Sequence, residues 1–129
     1  MKNNMNYPLI SVITVSYNAV LTIEQTILSV INQTYLNIEY IIIDGGSTDG
    51  TVNVIKKYAD KIAYWVSEPD KGIYDAMNKG IKIAAGKYTL FMNVNDTFYA
   101  SSSIAEVCNL MEKYDSQHDA YYGNVTVSN

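Results

Sequence analysis

The chain has 129 residues, 48% of them apolar and 17% charged, with a formal net charge of −4. That length and composition suit one globular domain with its own core and exclude a disordered chain, and an acidic surface argues against non-specific nucleic-acid binding. The single cysteine, Cys108, excludes an internal disulfide and a multi-thiolate zinc site, and with no bilayer-length apolar run and a polar N-terminus the expectation is a cytoplasmic, reduced protein.

Apolar periodicity alternates between two patterns along the chain. Leu9–Val15 and Ile38–Ile43 are short, continuous, β-branched runs of the kind found in strands buried on both faces. Between them Ile23, Ile27 and Ile31 recur at helical spacing and predict a helix with one buried stripe. Val52, Ile55, Tyr58 and Ala59 predict a second helix after the turn-rich Gly45–Gly50, and Ile62–Val66 a third strand. Ile73, Met77, Ile81 and Ala84 form a third helical stripe ending at Gly86, read as its C-cap. Tyr88–Met92 is a fourth strand. Ser103 and Glu106 read as a capping box opening a helix that runs through Tyr114, and Ala120–Val127 is a last strand-like segment. Strands alternating with helices in this way predict an α/β fold, Rossmann-like, with a mostly parallel sheet flanked by helices on both faces.

In an open α/β sheet, ligands bind beyond the carboxyl ends of the strands. The first strand runs into Thr14-Val15-Ser16-Tyr17-Asn18, the second into Asp44-Gly45-Gly46-Ser47-Thr48-Asp49-Gly50, and the fourth into Asn93-Val94-Asn95-Asp96. Together they would present a ring, hydroxyls, amides and two carboxylates to one crevice. Each piece has a plainer reading as well: a turn and helix cap for Asp44–Gly50, a rim-exposed core ring for Tyr17, a turn cap for Asp96. The first turn carries neither the glycine pattern of a dinucleotide site nor that of a P-loop. An aromatic ring beside a hydroxyl suits a nucleobase, and a lone acid after the fourth strand suits a hard cation bridging phosphate oxygens.

Four segments taken together, Ser11–Asn18, Ile43–Thr51, Asp70–Ile81 and Gly86–Tyr88 with Asn93–Asp96, resemble the family 2 glycosyltransferases in order and spacing across nearly the whole chain. The resemblance implies a GT-A fold and an inverting glycosyltransferase that moves a sugar from a nucleoside diphosphate donor, UDP-sugar by family habit, to a saccharide or lipid-linked acceptor in bacterial polysaccharide synthesis. It places Thr14, Tyr17 and Asp44 against the base or ribose, with Asn18 and Asn95 in the same donor pocket. It sets Asp75, Asn78 and Lys79 beside the diphosphate and sugar, and makes Asp96 the ligand of a divalent metal, manganese or magnesium. Two departures stand out. Many relatives carry a second acid where this chain has Gly45, and the D-x-D-like motif keeps only Asp96.

No acidic motif matching the family's catalytic base follows Asp96. Glu106, Glu112, Asp115 and Asp119 fall in or after a helix, and the one histidine, His118, lies in a polar connection. The base is therefore expected beyond Asn129, and residues 1–129 are expected to be the nucleotide-sugar-binding domain, cut before the acceptor-binding part. The full-length protein would then act in the cytoplasm or at the inner membrane face. The alternative is a nucleotide-sugar-binding or regulatory module without turnover. A sugar-phosphate nucleotidyltransferase is a weaker third reading, because it would need a glycine-rich basic loop after the first strand.

Overall fold

The computed structural model describes residues 7–115 and 123–124. In chain order they form β1 (Ile10–Ser16), α1 (Ile23–Ile31), β2 (Ile38–Asp44), α2 (Thr51–Lys57), a 3-10 turn (Ala59–Lys61), β3 (Tyr64–Ser67), α3 (Ile73–Ile83), β4 (Tyr88–Phe91), α4 (Ser103–Asp115) and β5 (Gly123–Asn124). The strands make one sheet in the order β3-β2-β1-β4-β5, and every neighbouring pair is parallel. The crossovers on either side of β1 carry the helices, as parallel pairing requires.

The two sheet faces differ in cover. On one, Ile10, Val12, Tyr40, Ile42 and Leu90 pack with Ile23, Ile27 and Val30 of α1, Ile55 of α2, and Ile104, Cys108 and Met111 of α4. On the other, Ile13, Ile41 and Ile43 meet Ala76 of α3, with Val15, Val66, Ile83 and Phe91 at the margin. This near-continuous apolar run along β1 and β2 is what a strand buried on both faces needs. It leaves α3 as the one helix opposite three. Small residues let α3 lie close to the sheet: Ala76 and Gly80 are its buried positions, and a Cβ on Gly80 would stand 2.7 Å from the Ile13 side chain.

Three local expectations shift. The third strand starts at Tyr64, not Ile62, because the chain first closes the 3-10 turn, with the Ile62 amide donating to the Ala59 carbonyl at 3.2 Å. Helix α3 is capped at Ala84, so Gly86 is no C-cap. Its lack of a side chain serves a close approach instead: a Cβ there would lie 2.6 Å from the Ser11 amide nitrogen and 2.8 Å from the Leu9 carbonyl oxygen. At α4 the pair is Ser102 with Glu106, hydroxyl to carboxylate at 2.9 Å, while the Ser103 hydroxyl accepts from the Ala100 amide at 2.8 Å. Most of the strand expected over Ala120–Val127 lies outside the described residues.

The carboxyl ends of β1, β2 and β3 are tied together at one point. Asp44, the last residue of β2, is fully buried, paired in register with Ser16 of β1 on one side and Ser67 of β3 on the other. Its Oδ1 accepts from the hydroxyls of Ser16 (2.7 Å) and Ser47 (2.7 Å). Its Oδ2 accepts from the Ser67 hydroxyl (2.8 Å) and from the amides of Ser47 (2.8 Å) and Gly46 (3.1 Å). Burial alone would raise this carboxyl, but the bonds from Ser16, Ser47 and Ser67 outweigh it and hold it below the usual carboxylate range.

Two outcomes follow from these contacts. Gly86→Ala should lower stability by about 2–3 kcal/mol, since the clash is with backbone that cannot step aside, and urea unfolding measures it. Asp44→Asn should cost about 2–4 kcal/mol at neutral pH, because an amide nitrogen would face donors. A carboxyl depressed in the folded state stabilises above its unfolded value, near pH 4, and loses that contribution as pH falls toward the folded value. The stability gap between wild type and Asp44→Asn should therefore narrow below about pH 4 in acid-dependent unfolding curves.

Candidate functional site

The loops after β1 to β4 surround a cavity of about 750 Å³ at the carboxyl edge of the sheet. Its walls come from Val15, Ser16 and Tyr17 after β1, Gly45 after β2, Pro69, Asp70 and Gly72 after β3, Ile73 and Ala76 of α3, and Asn93, Val94 and Asn95 after β4. The cavity opens on the α3 side of the sheet, where cover is thinner.

Residues of the Asp44–Thr51 segment act chiefly as joinery. The Asn18 amide donates to the Ser47 hydroxyl (2.7 Å), and the Asn18 side-chain oxygen accepts from the Thr48 amide (2.8 Å). Further along, the amides of Ala19 and Val20 donate to Thr51 Oγ1 (2.8 Å) and Asp49 Oδ2 (3.1 Å). These bonds dock the β1–α1 loop onto the β2–α2 loop and hold Asn18 at a φ of +46°, a left-handed conformation that Asn tolerates. Tyr17, just before it, is thereby held out at the cavity mouth, 64% exposed.

The structure separates the residues expected at the site. Tyr17 and Asn95 line the cavity. Thr14 does not: it is fully buried and bonded to the Tyr40 hydroxyl at 2.8 Å, on the face covered by α1, α2 and α4. Alternation along β1 gives the cavity side to its neighbour Val15. Asp44, expected against base or ribose, lies beneath the wall, fully buried, with both oxygens accepting from the chain's own donors. Asn78 is exposed two residues past Ala76, about 200° further round α3, facing away from the cavity. Lys79 and Asp75 brace the β3–α3 loop. The ammonium pairs with Glu68 at 3.1 Å and Asp75 at 3.9 Å and is raised by the Glu68 carboxylate, while Asp75 Oδ2 accepts from the Lys71 amide at 2.9 Å.

Asp96 follows the wall formed by Asn93–Asn95 and is half-buried. Its backbone is fixed, the amide donating to the Asn93 carbonyl at 3.0 Å and the carbonyl accepting from Thr26 at 2.9 Å. Among the described residues its carboxylate takes no hydrogen bond or ion pair. An unengaged carboxylate with amide oxygens close by in sequence fits a hard divalent cation, which prefers oxygen ligands. Among the described residues no cluster of three or more His, Cys, Asp or Glu could hold a metal. Two acids of α4 are engaged elsewhere: Glu106 with Ser102, and Glu112 with Lys87 (2.9 Å) and the Tyr88 hydroxyl (2.5 Å). Asp119 and His118 lie outside the described residues.

The wall residues that strand-end reasoning passed over are those of the β3–α3 loop, Pro69, Asp70 and Gly72, with Ile73 and Ala76 of α3. The Asp70-Lys71-Gly72 stretch before a helix was their one visible signal.

The family model described as Glycosyl transferase family 2 matches residues 11–129. Among curated relatives, an uncharacterized glycosyltransferase of Mycobacterium tuberculosis is 43% identical over 100 residues, covering 77% of this chain and 38% of that protein. A PGL/p-HBAD biosynthesis glycosyltransferase of Mycobacterium bovis is 30% identical over 94% of this chain and 48% of its own length. The chain thus spans less than half of these relatives. Among solved structures, Staphylococcus aureus TarS 1-349 in complex with UDP-GlcNAc superposes with a TM-score of 0.74 at 22% identity, over 82% of this chain and 32% of that one. The mannosyltransferase PcManGT of Pyrobaculum calidifontis, in complex with GDP-Man and Mn2+, gives 0.75 at 24% identity, over 81% and 32%. These structural neighbours are GT-A glycosyltransferases, so the parallel sheet with its edge cavity is a GT-A fold. Among the described residues no helix is long and apolar enough to cross a membrane. From the family match over residues 11–129, the chain belongs to glycosyl transferase family 2.

Proposed function

We propose that the cavity binds a nucleoside diphosphate sugar and that the protein transfers its glycosyl unit, with inversion, to a saccharide or lipid-linked acceptor in polysaccharide assembly. One observation carries this reading: an exposed ring, Tyr17, lines the strand-end cavity, and a carboxylate unengaged among the described residues, Asp96, directly follows its Asn93–Asn95 wall, a nucleoside platform on one side and a diphosphate end on the other. The neighbours that carry UDP-GlcNAc, or GDP-Man with Mn2+, support it. Residues 1–129, which span less than half the length of their relatives, then form the donor-binding part.

Within this reading each residue has a task. Tyr17 offers its ring face to the base and limits the tilt of the nucleoside. Asn95, with Asn93, gives polar contacts along the phosphates. Asp96 holds manganese or magnesium, which neutralises charge on the departing diphosphate. The brace of Lys79 on Glu68 and Asp75 keeps the β3–α3 loop in place as the far wall. Transfer needs the anomeric carbon in line with the acceptor hydroxyl, and a fixed donor contributes that alignment. UDP is the donor nucleotide favoured by family habit.

Calorimetric titration tests these assignments. UDP should bind the 129-residue chain more tightly with manganese than without it. Asp96→Asn should abolish that enhancement and leave metal-free binding nearly intact. If Asp96 only shapes the turn, the variant loses about 1 kcal/mol of stability and keeps the enhancement. Tyr17→Ala should weaken UDP binding by about 1–2 kcal/mol while melting unchanged, since the ring sits outside the core.

A further inference from the structure

Asp44 cannot read a ligand, because it is fully buried with each oxygen engaged by the chain's own donors. Gly45, the next residue and part of the cavity wall, has no side chain to offer. Yet the space above Gly45 is filled. A Cβ built there would lie 2.9 Å from Asp70 Oδ2 and 3.4 Å from both Asp70 Cγ and Oδ1. The Asp70 carboxylate, carried by the β3–α3 loop, thus stands where a side chain from position 45 would begin.

We propose that Asp70 is the residue through which this chain selects the donor's nucleobase, by accepting a hydrogen bond from a ring N–H; the assignment rests on the nucleotide reading above. Asp70 is half-buried in the cavity wall. Its Oδ1 is held by the Gly72 amide at 3.0 Å, which fixes the carboxylate plane. Among the described residues its Oδ2 takes no hydrogen bond or ion pair and remains an acceptor for a ligand. The loop beneath it is rigidly seated: Lys79 reaches the Pro69 carbonyl at 3.5 Å besides its pairing with Glu68, and the Lys71 amide is held by Asp75.

Sheet order assigns the ends of the cavity. Gly45 and Asp70 belong to the β2–β3 side, Tyr17 to the middle strand, and Asn93–Asn95 to the β4 side. A carboxylate repels phosphate, so a diphosphate lies away from Asp70, toward Asn95 and Asp96, and leaves the base beside Tyr17 and Asp70. A carboxylate only accepts. Uracil and guanine each present a ring N–H at the pairing edge, whereas the corresponding ring nitrogen of cytosine and adenine is itself an acceptor and opposes a carboxylate. Asp70 therefore both favours the first pair and disfavours the second, a specificity built from attraction and repulsion together.

Calorimetric titration of the 129-residue chain and of Asp70→Asn and Asp70→Ala with UDP, GDP, CDP and ADP, all with manganese, tests the assignment. Wild type should bind UDP or GDP about tenfold or more tighter than CDP and ADP. In both variants that preference should fall by about tenfold, with CDP and ADP binding unchanged or improved. Asp70→Asn retains an oxygen for the Gly72 amide, so melting should match wild type and the change would report recognition. Variants that keep the full preference, or a wild type that favours CDP or ADP, overturn the assignment of Asp70 alone. A wild type that binds none of the four overturns the nucleotide reading and this one with it.

Discussion

The site depends on how one buried carboxylate is satisfied. Asp44 sits fully buried at the end of β2, where an unpaired charge would be prohibitive. Hydroxyls from the strand ends on either side and the first turn after β2 turn toward it, so its solvation inside the protein is also the bond joining β1, β2 and β3. Each donor is supplied by a small residue, the hydroxyls of three serines and the amides of Ser47 and Gly46. The edge is thus both electrostatically closed and sterically defined before any ligand arrives.

From that anchor the rest of the rim is assembled by short hydrogen bonds between loops. Ser47, Thr48, Asp49 and Thr51 receive or donate to Asn18, Ala19 and Val20, so the second loop is the mould for the first. Gly46 lies at a φ of +88°, and a Cβ there would stand 3.3 Å from the Pro69 nitrogen, so glycine is what allows the third loop to close against the second. The cavity opens on the sheet face that α3 covers alone, next to Ala76, while α1, α2 and α4 fill the other face. A groove beside one helix, walled by rigidly docked loops, is a place where a flat, extended molecule can lie across strand ends.

Family membership and this geometry bear on different questions. The match over residues 11–129 identifies the family. The geometry concerns what Gly45, Asn93, Asn95 and Asp96 do in this chain. The structure shows acids dividing their labour by burial: Asp44 builds, Asp75 braces a loop through Lys71 and Lys79, Asp70 lines the cavity with one oxygen unengaged among the described residues, and Asp96 follows the Asn93–Asn95 wall.

Strand and helix order, the parallel sheet and the strand-end location of the site were legible in the sequence because they follow from local periodicity: β-branched runs near residues 9–15 and 38–43, and isoleucines at helical spacing between them. That Tyr17 and Asn95 line the strand-end cavity was legible because they lie in the loops after β1 and β4. Three things were decided only by tertiary structure. Whether Thr14 or Val15 meets the cavity depends on which sheet face α3 covers, and a period of two makes that a one-residue choice. Asp44 became structural because Ser16 and Ser67, 28 and 23 residues away, converge on it through the sheet register. Asp70 came to stand over Gly45 because β3 pairs beside β2 and its following loop folds back across the strand end. Local pattern fixes what each segment becomes; which side chains from distant segments share a point in space is settled only when the strands pair and the loops close.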